Sequence, residues 1–332
     1  MQVEQKKKTI PIFVSHMGCP NDCAFCNQRT ITGQCETVTP ELAKKIIEDS
    51  LKTLPKHSSV EIGFFGGSFT GIEHSLQEKL LAVAHSYIQS GKVHAIRLST
   101  RPDYISTEIV DMLKCYVVTT VELGAQSMRD DVLKLNLRGH TNEDTIRASE
   151  MIKDASISLG LQMMTGLLGD TYESAVETAR EMIVLSPSCV RIYPTLVLKG
   201  THLHTWYQQG LYAPQTLDEA VYLCAELKEM FDVSAIPVIR MGLMASDNIH
   251  PDKDVVAGPY HPSFGELVQS ELYFRAIKKE INGDAKLAVH PKSISAFIGN
   301  KRKNIERFRK MGVSLQIVQS EKVSPGTFQI IG

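Results

Sequence analysis

The segments VEIGFFGG (60–67), HSLQEKLLAVAHSYIQSG (74–91) and HAIRLST (94–100) carry the clearest structural signal of this chain. The first and third are short runs rich in β-branched and aromatic residues, and the second is longer and amphipathic. A strand, a helix and a second strand in this order predict a parallel sheet with crossover helices. The strands are almost continuously apolar, which indicates that both of their faces are buried.

The same alternation continues on both sides, from TIPIFVSH (9–16) to SCVRIYPTLVL (188–198). It amounts to six strand–helix units of roughly 35 residues each. Eight such units close a TIM-type barrel, so six predict a partial (β/α)6 barrel, an α/β fold that is open on one side. Because the composition changes near residue 245, we expect a partial barrel over residues 8–245, a bridging extension over 246–285 and a small basic α/β module over 286–332.

The composition of the 332 residues is that of an ordinary globular protein, with 43% hydrophobic and 22% charged residues. No stretch approaches the roughly 18 uninterrupted apolar residues of a membrane span, and the first residues lack the apolar core and cleavage site of a signal peptide. We therefore expect a cytoplasmic protein without a membrane partner. Seven cysteines, three of them bunched, make a poor disulfide framework and favour metal binding or catalysis.

The charge is unevenly distributed along the chain. Residues 286–332 contain nine Lys or Arg and two Glu, a net charge of +7, which leaves the first 285 residues with −8. A nearly neutral chain therefore combines an acidic body with a basic end. This asymmetry indicates a polyanionic partner for the basic end.

Three cysteines lie within eight residues of a polar loop, GCPNDCAFCNQ (18–28), with the spacing C-x3-C-x2-C. A structural zinc site would need a fourth ligand beside Cys19, Cys23 and Cys26, and Cys35 or His16 is available for it. An iron–sulfur cluster normally takes four thiolates as well. If only three hold a cluster, one iron keeps an open position for a substrate or cofactor. The residues alone leave both alternatives open.

Other distinctive words follow the predicted strands, at their carboxyl ends: GGSFTG (66–71), RPD (101–103), GAQS (124–127) and TGLLG (165–169). Functional residues gather at these ends in α/β folds of this kind. Paired glycines let the backbone approach a ligand closely, and an Arg guanidinium suits a carboxylate. The sequence therefore predicts a binding site along this edge of the sheet.

With Phe25 before the last cysteine, the motif resembles that of the radical S-adenosylmethionine enzymes. The resemblance implies a [4Fe-4S] cluster on Cys19, Cys23 and Cys26, whose open iron binds the amino and carboxylate groups of S-adenosylmethionine. Electron transfer from a flavodoxin- or ferredoxin-type donor then breaks a C–S bond and releases a 5′-deoxyadenosyl radical. This chemistry belongs to the cofactors, while the protein supplies orientation and excludes water and oxygen.

The same resemblance implies a set of residues that contact S-adenosylmethionine. Gly66 and Gly67 correspond to the Gly-Gly motif that binds the methionine amino group, and Ser68 stands beside them where the family often has Glu or Thr. In the porphyrin-synthesis branch, a Gln and an Arg at the spacing of Gln126 and Arg138 contact the cofactor.

Two further positions of that branch differ in this chain. Ser99 replaces a ribose-binding Glu, and Gln162 replaces an Asp. The resemblance therefore implies a cofactor site in which both residues take part with altered chemistry.

A narrower resemblance, over roughly residues 8–245, is to the catalytic subunit of the Elongator complex and its relatives, which modify transfer RNA. It is carried by STRPDYI (99–105), VELGAQS (121–127), LRGHT (137–141), YPTLVLKGTHLHTWYQQGLYAP (193–214) and VIRMGL (238–243). STRPD departs from the family's ETRPD, and no acetyltransferase domain is expected within 332 residues. We therefore expect a radical enzyme acting on transfer RNA. Two alternatives are the same chemistry on a porphyrin precursor or a protein, and a zinc-stabilised RNA-binding protein without catalysis.

The basic end, HPKSISAFIGNKRKNIERFRKMGVSLQIVQSE (290–321), predicts helix, loop, helix and strand. It resembles a degenerate KH module, whose I-G-x-x-G-x-x-I loop clamps a nucleic-acid backbone. Arg302 takes the place of the second glycine. The resemblance implies that residues 286–332 bind transfer RNA or another RNA through Gly299, Lys301, Arg302 and Lys303. The alternative is a solvated basic helical hairpin.

Overall fold

The computed structural model describes residues 7–14, 19, 22–27, 38–55, 58–243, 249–250 and 252–331. The chain divides into two compact units, residues 1–215 with 231–260, which we call the barrel unit, and residues 216–230 with 261–332, which we call the C-terminal unit. The boundaries at residues 245 and 285 expected from the composition remain predictions.

The strands are β1 (Lys7–Phe13), β2 (Ser59–Phe65), β3 (Ala95–Thr100), β4 (Thr120–Gln126), β5 (Ser158–Thr165), β6 (Cys189–Pro194), β7 (Val197–Leu198), β8 (Val238–Met241), β9 (Val255–Ala257), β10 (Ala285–Val289), β11 (Leu315–Gln319) and β12 (Phe328–Ile330). The α-helices are α1 (Pro40–Thr53), α2 (His74–Gln89), α3 (Thr107–Cys115), α4 (Asp130–Leu135), α5 (Asn142–Asp154), α6 (Tyr172–Val184), α7 (His202–Gln208), α8 (Leu217–Val233), α9 (Phe264–Glu280), α10 (Ile294–Ile298) and α11 (Lys303–Lys310).

The barrel unit is built on a parallel sheet with the strand order β1-β2-β3-β4-β5-β6-β8. Helices connect consecutive strands, and β1 and β8 are the two edges of the sheet, so the partial barrel expected from the sequence is confirmed. The sheet has seven strands, one more than the six predicted. All carboxyl ends lie along one edge, which brings the loops that follow the strands together.

One face of this sheet is charged and the other is apolar. Side chains alternate between the two faces along each strand, so charged and apolar residues follow one another in the sequence. Arg97 of β3 pairs with Glu61 of β2 at 3.1 Å and with Glu122 of β4 at 2.7 Å, and Glu122 also pairs with Arg191 of β6 at 2.5 Å. The other face is apolar and fully buried at Ile62, Leu98, Val121, Leu161 and Ile192. One face thus forms a core, and the other carries a series of ion pairs that joins residues of four strands, β2, β3, β4 and β6.

Side-chain caps fix where several helices begin. Thr141 precedes α5, and its hydroxyl accepts from the backbone N–H of Asp144, whose side chain accepts from the backbone N–H of Thr141. Thr171 and Ser174 form the same pair of bonds at the start of α6. Such capping boxes satisfy N–H groups that the first helical turn leaves without partners. The loops before α5 and α6 therefore end at Thr141 and Thr171.

The C-terminal unit contains a three-stranded sheet with the order β11-β10-β12, in which β10 is parallel to β11 and antiparallel to β12. Phe274, Phe297 and Phe308, from α9, α10 and α11, form its core. The helix, loop, helix and strand predicted for residues 290–321 are present, whereas the likeness to a KH module remains a prediction. No helix in the described part of the chain is long and apolar enough to cross a membrane.

Candidate functional site

Backbone hydrogen bonds hold the cysteine loop against the segment that follows α4 and against α7. The Ala24 N–H donates to the Asn136 carbonyl at 3.0 Å, and the Leu203 N–H donates to the Ala24 carbonyl at 2.8 Å. Within the loop, the Cys26 N–H donates to the Cys23 carbonyl at 3.0 Å. The segment between the second and third cysteines is therefore a defined turn, with Cys23 buried and Cys26 partly buried.

Asn136 connects this loop to the end of β5. Its side-chain amide donates to the Val132 carbonyl at 2.8 Å and to the Leu168 carbonyl at 2.9 Å, and it accepts from the Leu168 N–H at 3.2 Å. The residue has no exposed surface. Its side chain therefore fixes the carbonyl that receives the Ala24 N–H, a role that the sequence analysis did not assign.

Arg138 lies near two other predicted site residues, Cys23 and Gln126. Its Nη1 donates to Cys23 Sγ at 3.4 Å, and its Nη2 donates to the Gly124 carbonyl at 2.6 Å. A Cβ atom at Gly124 would lie 2.8 Å from Gln126 Nε2 and 3.0 Å from Arg138 Nη2. Gln126 and Arg138 therefore flank the same glycine beside the cysteine loop, and only a glycine leaves both side chains in place.

The predicted glycine motif forms a turn after β2. Gly66 and Gly67 have φ values of 76° and 62°, a conformation that glycine adopts without strain. The next residue, Ser68, is fully buried, and its hydroxyl bonds to Thr100 Oγ1 at 2.8 Å and accepts from the Arg101 N–H at 3.2 Å. Ser68 thus ties this turn to the end of β3.

Ser99 and Gln162 meet on the polar face of the sheet. The Gln162 amide donates to Ser99 Oγ at 3.4 Å and to Glu122 Oε2 at 3.0 Å. Burial raises the pKa of Glu122, but the Arg191 and Arg97 guanidinium groups outweigh burial and hold this pKa below its ordinary value. The two residues therefore adjoin a charged carboxylate that is already neutralised by arginines.

Two residues near the cysteines, Arg101 and His140, were not assigned from the sequence although they lie in the STRPD and LRGHT words. Arg101 is 1% exposed and donates to the Asp103 carboxylate through Nε at 2.9 Å and Nη2 at 2.8 Å. Its charge and that of Arg138 interact with the Cys19 thiol. Desolvation nevertheless dominates at Cys19 and raises the pKa of this thiol, although the residue is in part exposed.

His140 is buried next to the same arginines. Its Nε2 lies 3.2 Å from the Ala125 carbonyl, which fits an Nε2–H donor. Burial, together with the positive charges of Arg138 and Arg101, lowers the pKa of His140 to about 3. The ring is therefore neutral at physiological pH, and the positive charge beside the cysteines comes from the arginines.

These surroundings fit an anionic cluster carried by the three cysteines. The Arg138 guanidinium donates to Cys23 Sγ, and the charge of Arg101 interacts with the Cys23 and Cys19 thiols, so two cations adjoin the cysteines. Among the described residues, no three His, Cys, Asp or Glu side chains converge closely enough to hold one metal ion. Cys35 and His16, the other zinc candidates, lie outside the described residues.

The predicted RNA-contacting turn lies in the C-terminal unit, between α10 and α11. Gly299 has a φ of 81°, and a Cβ atom there would lie 3.0 Å from Ser270 Oγ. Lys301 and Arg302 are exposed and take left-handed backbone conformations, with φ values of 51° and 63°. Lys303, by contrast, pairs with Asp218 at 2.5 Å.

Comparison with known proteins shows to which family this chain is similar. The family model of the Radical SAM superfamily matches residues 14–182, and that of the Radical_SAM C-terminal domain matches residues 187–273. The tRNA uridine(34) acetyltransferase of Methanocaldococcus infernus is 30% identical over 240 residues, which are 66% of this chain and 44% of that protein. Elongator complex protein 3 of Saccharomyces cerevisiae is 30% identical over 189 residues, 51% of this chain and 34% of that protein. The chain thus spans less than half the length of these two relatives.

A solved structure of the archaeal Methanocaldococcus infernus Elp3, with an N-terminal deletion, aligns with a TM-score of 0.64 at 24% identity. The alignment covers 85% of this chain and 66% of that one. At this identity the likeness establishes the fold, and it agrees with the partial barrel described above.

Proposed function

Since the chain belongs to the radical SAM superfamily, whose members use a [4Fe-4S] cluster and S-adenosylmethionine, we propose that it is a radical enzyme that modifies transfer RNA. Cys19, Cys23 and Cys26 hold the cluster and leave one iron open. When bound there, the cluster would supply one-electron reduction of S-adenosylmethionine, with the electron from a flavodoxin- or ferredoxin-type donor; cleavage of the C–S bond would give methionine and a 5′-deoxyadenosyl radical able to take a hydrogen atom from the substrate.

The contact between Arg138 and Cys23 carries this proposal. Arg138 lies between the cysteine loop and Gly124, and Gln126 flanks the same glycine. A fork-shaped guanidinium and an amide in this position suit the carboxylate and amino groups of an amino-acid cofactor. We propose that Arg138 and Gln126 orient S-adenosylmethionine beside the cluster.

The remaining predicted residues complete the cofactor site. The turn at Gly66 and Gly67 presents backbone groups to the methionine end, and Ser68 fixes that turn through its bonds to β3. Ser99 and Gln162 offer a hydroxyl and an amide for the ribose hydroxyls. Because Glu122 and Ser99 accept from the amide nitrogen of Gln162, which has two N–H donors, ribose binding has to use the side-chain oxygen of Gln162.

Transfer RNA is proposed as the substrate for two reasons. The relatives named above include a tRNA uridine(34) acetyltransferase, and the basic end of the chain carries a turn with two exposed cations. Among the described residues, neither Lys301 nor Arg302 forms an ion pair, so both charges are available to phosphates. Gly299 shapes this turn, and Lys303 reaches a phosphate only by leaving Asp218. A cytoplasmic location agrees with such a substrate.

Anaerobic reconstitution of the full chain tests the chemistry. We expect iron uptake and formation of 5′-deoxyadenosine from S-adenosylmethionine, both abolished by Cys19→Ser, Cys23→Ser or Cys26→Ser. Cys115→Ser is the matched control, because Cys115 is an exposed cysteine at the end of α3. A protein that takes up zinc and no iron, and leaves the cofactor intact, would contradict the proposal and favour an RNA-binding protein without catalysis.

Two measurements test the substrate. Mass spectrometry of transfer-RNA nucleosides from cells lacking this protein is expected to show the loss of one modification. Binding of transfer RNA by the full chain is expected to weaken with salt and with the double change Lys301→Gln, Arg302→Gln. An unchanged nucleoside profile together with salt-independent binding would contradict RNA as the substrate and leave a porphyrin precursor or a protein.

A further inference from the structure

One buried donor near the cysteines has no use in the functions described so far. Arg101 follows β3, and its Nε and Nη2 atoms are taken up by Asp103. The third nitrogen, Nη1, is also buried, and no hydrogen-bond acceptor reaches it among the residues that the structure describes. Buried polar groups in folded proteins almost always have a partner, so an acceptor is expected at this position.

The surroundings of the guanidinium indicate which acceptor it is. The charge of Arg101 interacts with the Cys23 and Cys19 thiols. Arg138 bonds directly to Cys23 and, with Gln126, adjoins the proposed binding position of the S-adenosylmethionine carboxylate. Arg101 is therefore placed beside the group that the cysteines hold, and that group is rich in sulfur acceptors.

The position of Arg101 is fixed by the protein itself. Its backbone N–H donates to Ser68 Oγ at 3.2 Å, its carbonyl accepts from the Tyr104 N–H at 3.3 Å, and the Asp103 carboxylate holds two of its three nitrogens. With a side chain that is 1% exposed, the guanidinium has little freedom to turn toward solvent. The donor is thus in place before any cluster is inserted.

We propose that Arg101 is a positioning residue for the cluster, and that its Nη1 donates a hydrogen bond to a sulfur of the cluster held by Cys19 and Cys23. This inference rests on the proposed function. Reduction adds one electron to a group that already carries three thiolates, so a buried cation and donor stabilise the reduced form and raise the reduction potential. Asp103 keeps the guanidinium charged and correctly oriented.

The test is a redox titration, followed by electron paramagnetic resonance, of the anaerobically reconstituted full chain. Arg101→Gln is expected to shift the reduction equilibrium about tenfold toward the oxidised cluster, a midpoint about 59 mV more negative for one electron. Arg101→Lys keeps the charge but loses the fork, so its midpoint is expected between those of Arg101→Gln and the unchanged protein. The control is Arg129→Gln, which removes a half-exposed arginine paired with Asp131 and Glu177 and is expected to leave the potential unchanged.

The cluster-free protein separates this role from a merely structural one. Arg101→Gln gives up both bonds to Asp103 whether or not a cluster is bound, so it is expected to melt below the unchanged protein without iron, and a larger difference between the iron-loaded proteins measures the bond from Nη1 to the cluster. A midpoint potential equal to that of Arg129→Gln overturns the inference and leaves the proposed function standing. If Arg101→Gln does not fold, Arg101→Lys decides by the same criterion. An unchanged protein that never takes up a cluster overturns both.

Discussion

Replacing Arg302 by glycine is expected to stabilise the C-terminal unit while weakening RNA binding. Arg302 stands where the resembling KH loop has its second glycine, and its backbone has φ 63° and ψ 24°. The arginine therefore adopts the left-handed conformation that a glycine would take without strain. It also sits at the N-terminal cap of α11 without any side-chain capping bond.

The size of the effect follows from two opposing contributions. A side chain in the left-handed region costs about 1–2 kcal/mol, which glycine removes. Glycine also has more conformational freedom in the unfolded chain, which lowers the free energy of unfolding by roughly 0.5–1 kcal/mol. Because Arg302 is exposed, no packing is lost, and the expected net gain in the free energy of unfolding is about 0.5–1 kcal/mol.

Urea denaturation of the full chain, followed through the C-terminal unit by amide hydrogen exchange, measures this gain. Lys310→Gly is the matched control, because it removes one exposed charge from the last turn of α11, where glycine is expected to destabilise by up to about 1 kcal/mol. Arg302→Gln removes the charge but keeps the backbone strain, so no gain is expected.

Transfer-RNA binding across a salt series measures the other half of the prediction. Removing one phosphate contact lowers the salt slope by roughly one unit, so Arg302→Gly and Arg302→Gln are expected to bind equally weakly. A loss of stability in Arg302→Gly would refute the strain argument. Binding as tight as that of the unchanged protein would refute the role of the turn in RNA contact.

Three further predictions concern the barrel unit. The pKa of His140 is about 3 in the folded protein against an ordinary 6.5, so below pH 6.5 only the unfolded chain takes up this proton. The free energy of unfolding should therefore fall by about 2 kcal/mol between pH 7 and pH 5, as measured by urea denaturation. His140→Gln should reduce this loss. Gly124→Ala should weaken S-adenosylmethionine binding about tenfold in calorimetry, because its Cβ displaces Gln126 and Arg138. Affinity equal to that of the unchanged protein would contradict this. Asn136→Ala removes three buried hydrogen bonds, so it should lower the free energy of unfolding by about 2–3 kcal/mol and reduce the iron that the protein retains after gel filtration. Full retention of iron would contradict the role of Asn136 in holding the cysteine loop.

Much of the fold could be predicted from the sequence because long apolar strands alternate with amphipathic helices. The seventh strand of the sheet, β8, was missed because it has only four residues, all at least partly exposed, and therefore lacks a continuous apolar run. The left-handed conformation of Arg302 also left no trace in the sequence, since only glycine signals a positive φ by its identity. Short edge strands and turns formed by residues other than glycine are therefore difficult to predict from sequence patterns.

The candidate site was predictable as a set of strand ends, but not as a set of contacts. The pairing of Cys23 with Arg138 spans 115 positions, and Asn136 meets Leu168 across 32. Such contacts depend on which loops the sheet places side by side, and a single sequence does not contain that information. The family resemblance supplied Gln126 and Arg138, whereas Arg101 and Asn136 emerge only from burial and hydrogen bonding.

The distribution of buried charge distinguishes the site from the rest of the sheet. On the polar face, Arg97 and Arg191 meet Glu61 and Glu122, so each guanidinium is balanced by carboxylates of neighbouring strands. Beside the cysteines, by contrast, Arg101 pairs with the Asp103 carboxylate, while Arg138 donates to Cys23 Sγ and to the Gly124 carbonyl. Burying an excess of positive charge is costly unless an anion balances it. The two guanidinium groups therefore lie where three thiolates and a cofactor carboxylate would add negative charge.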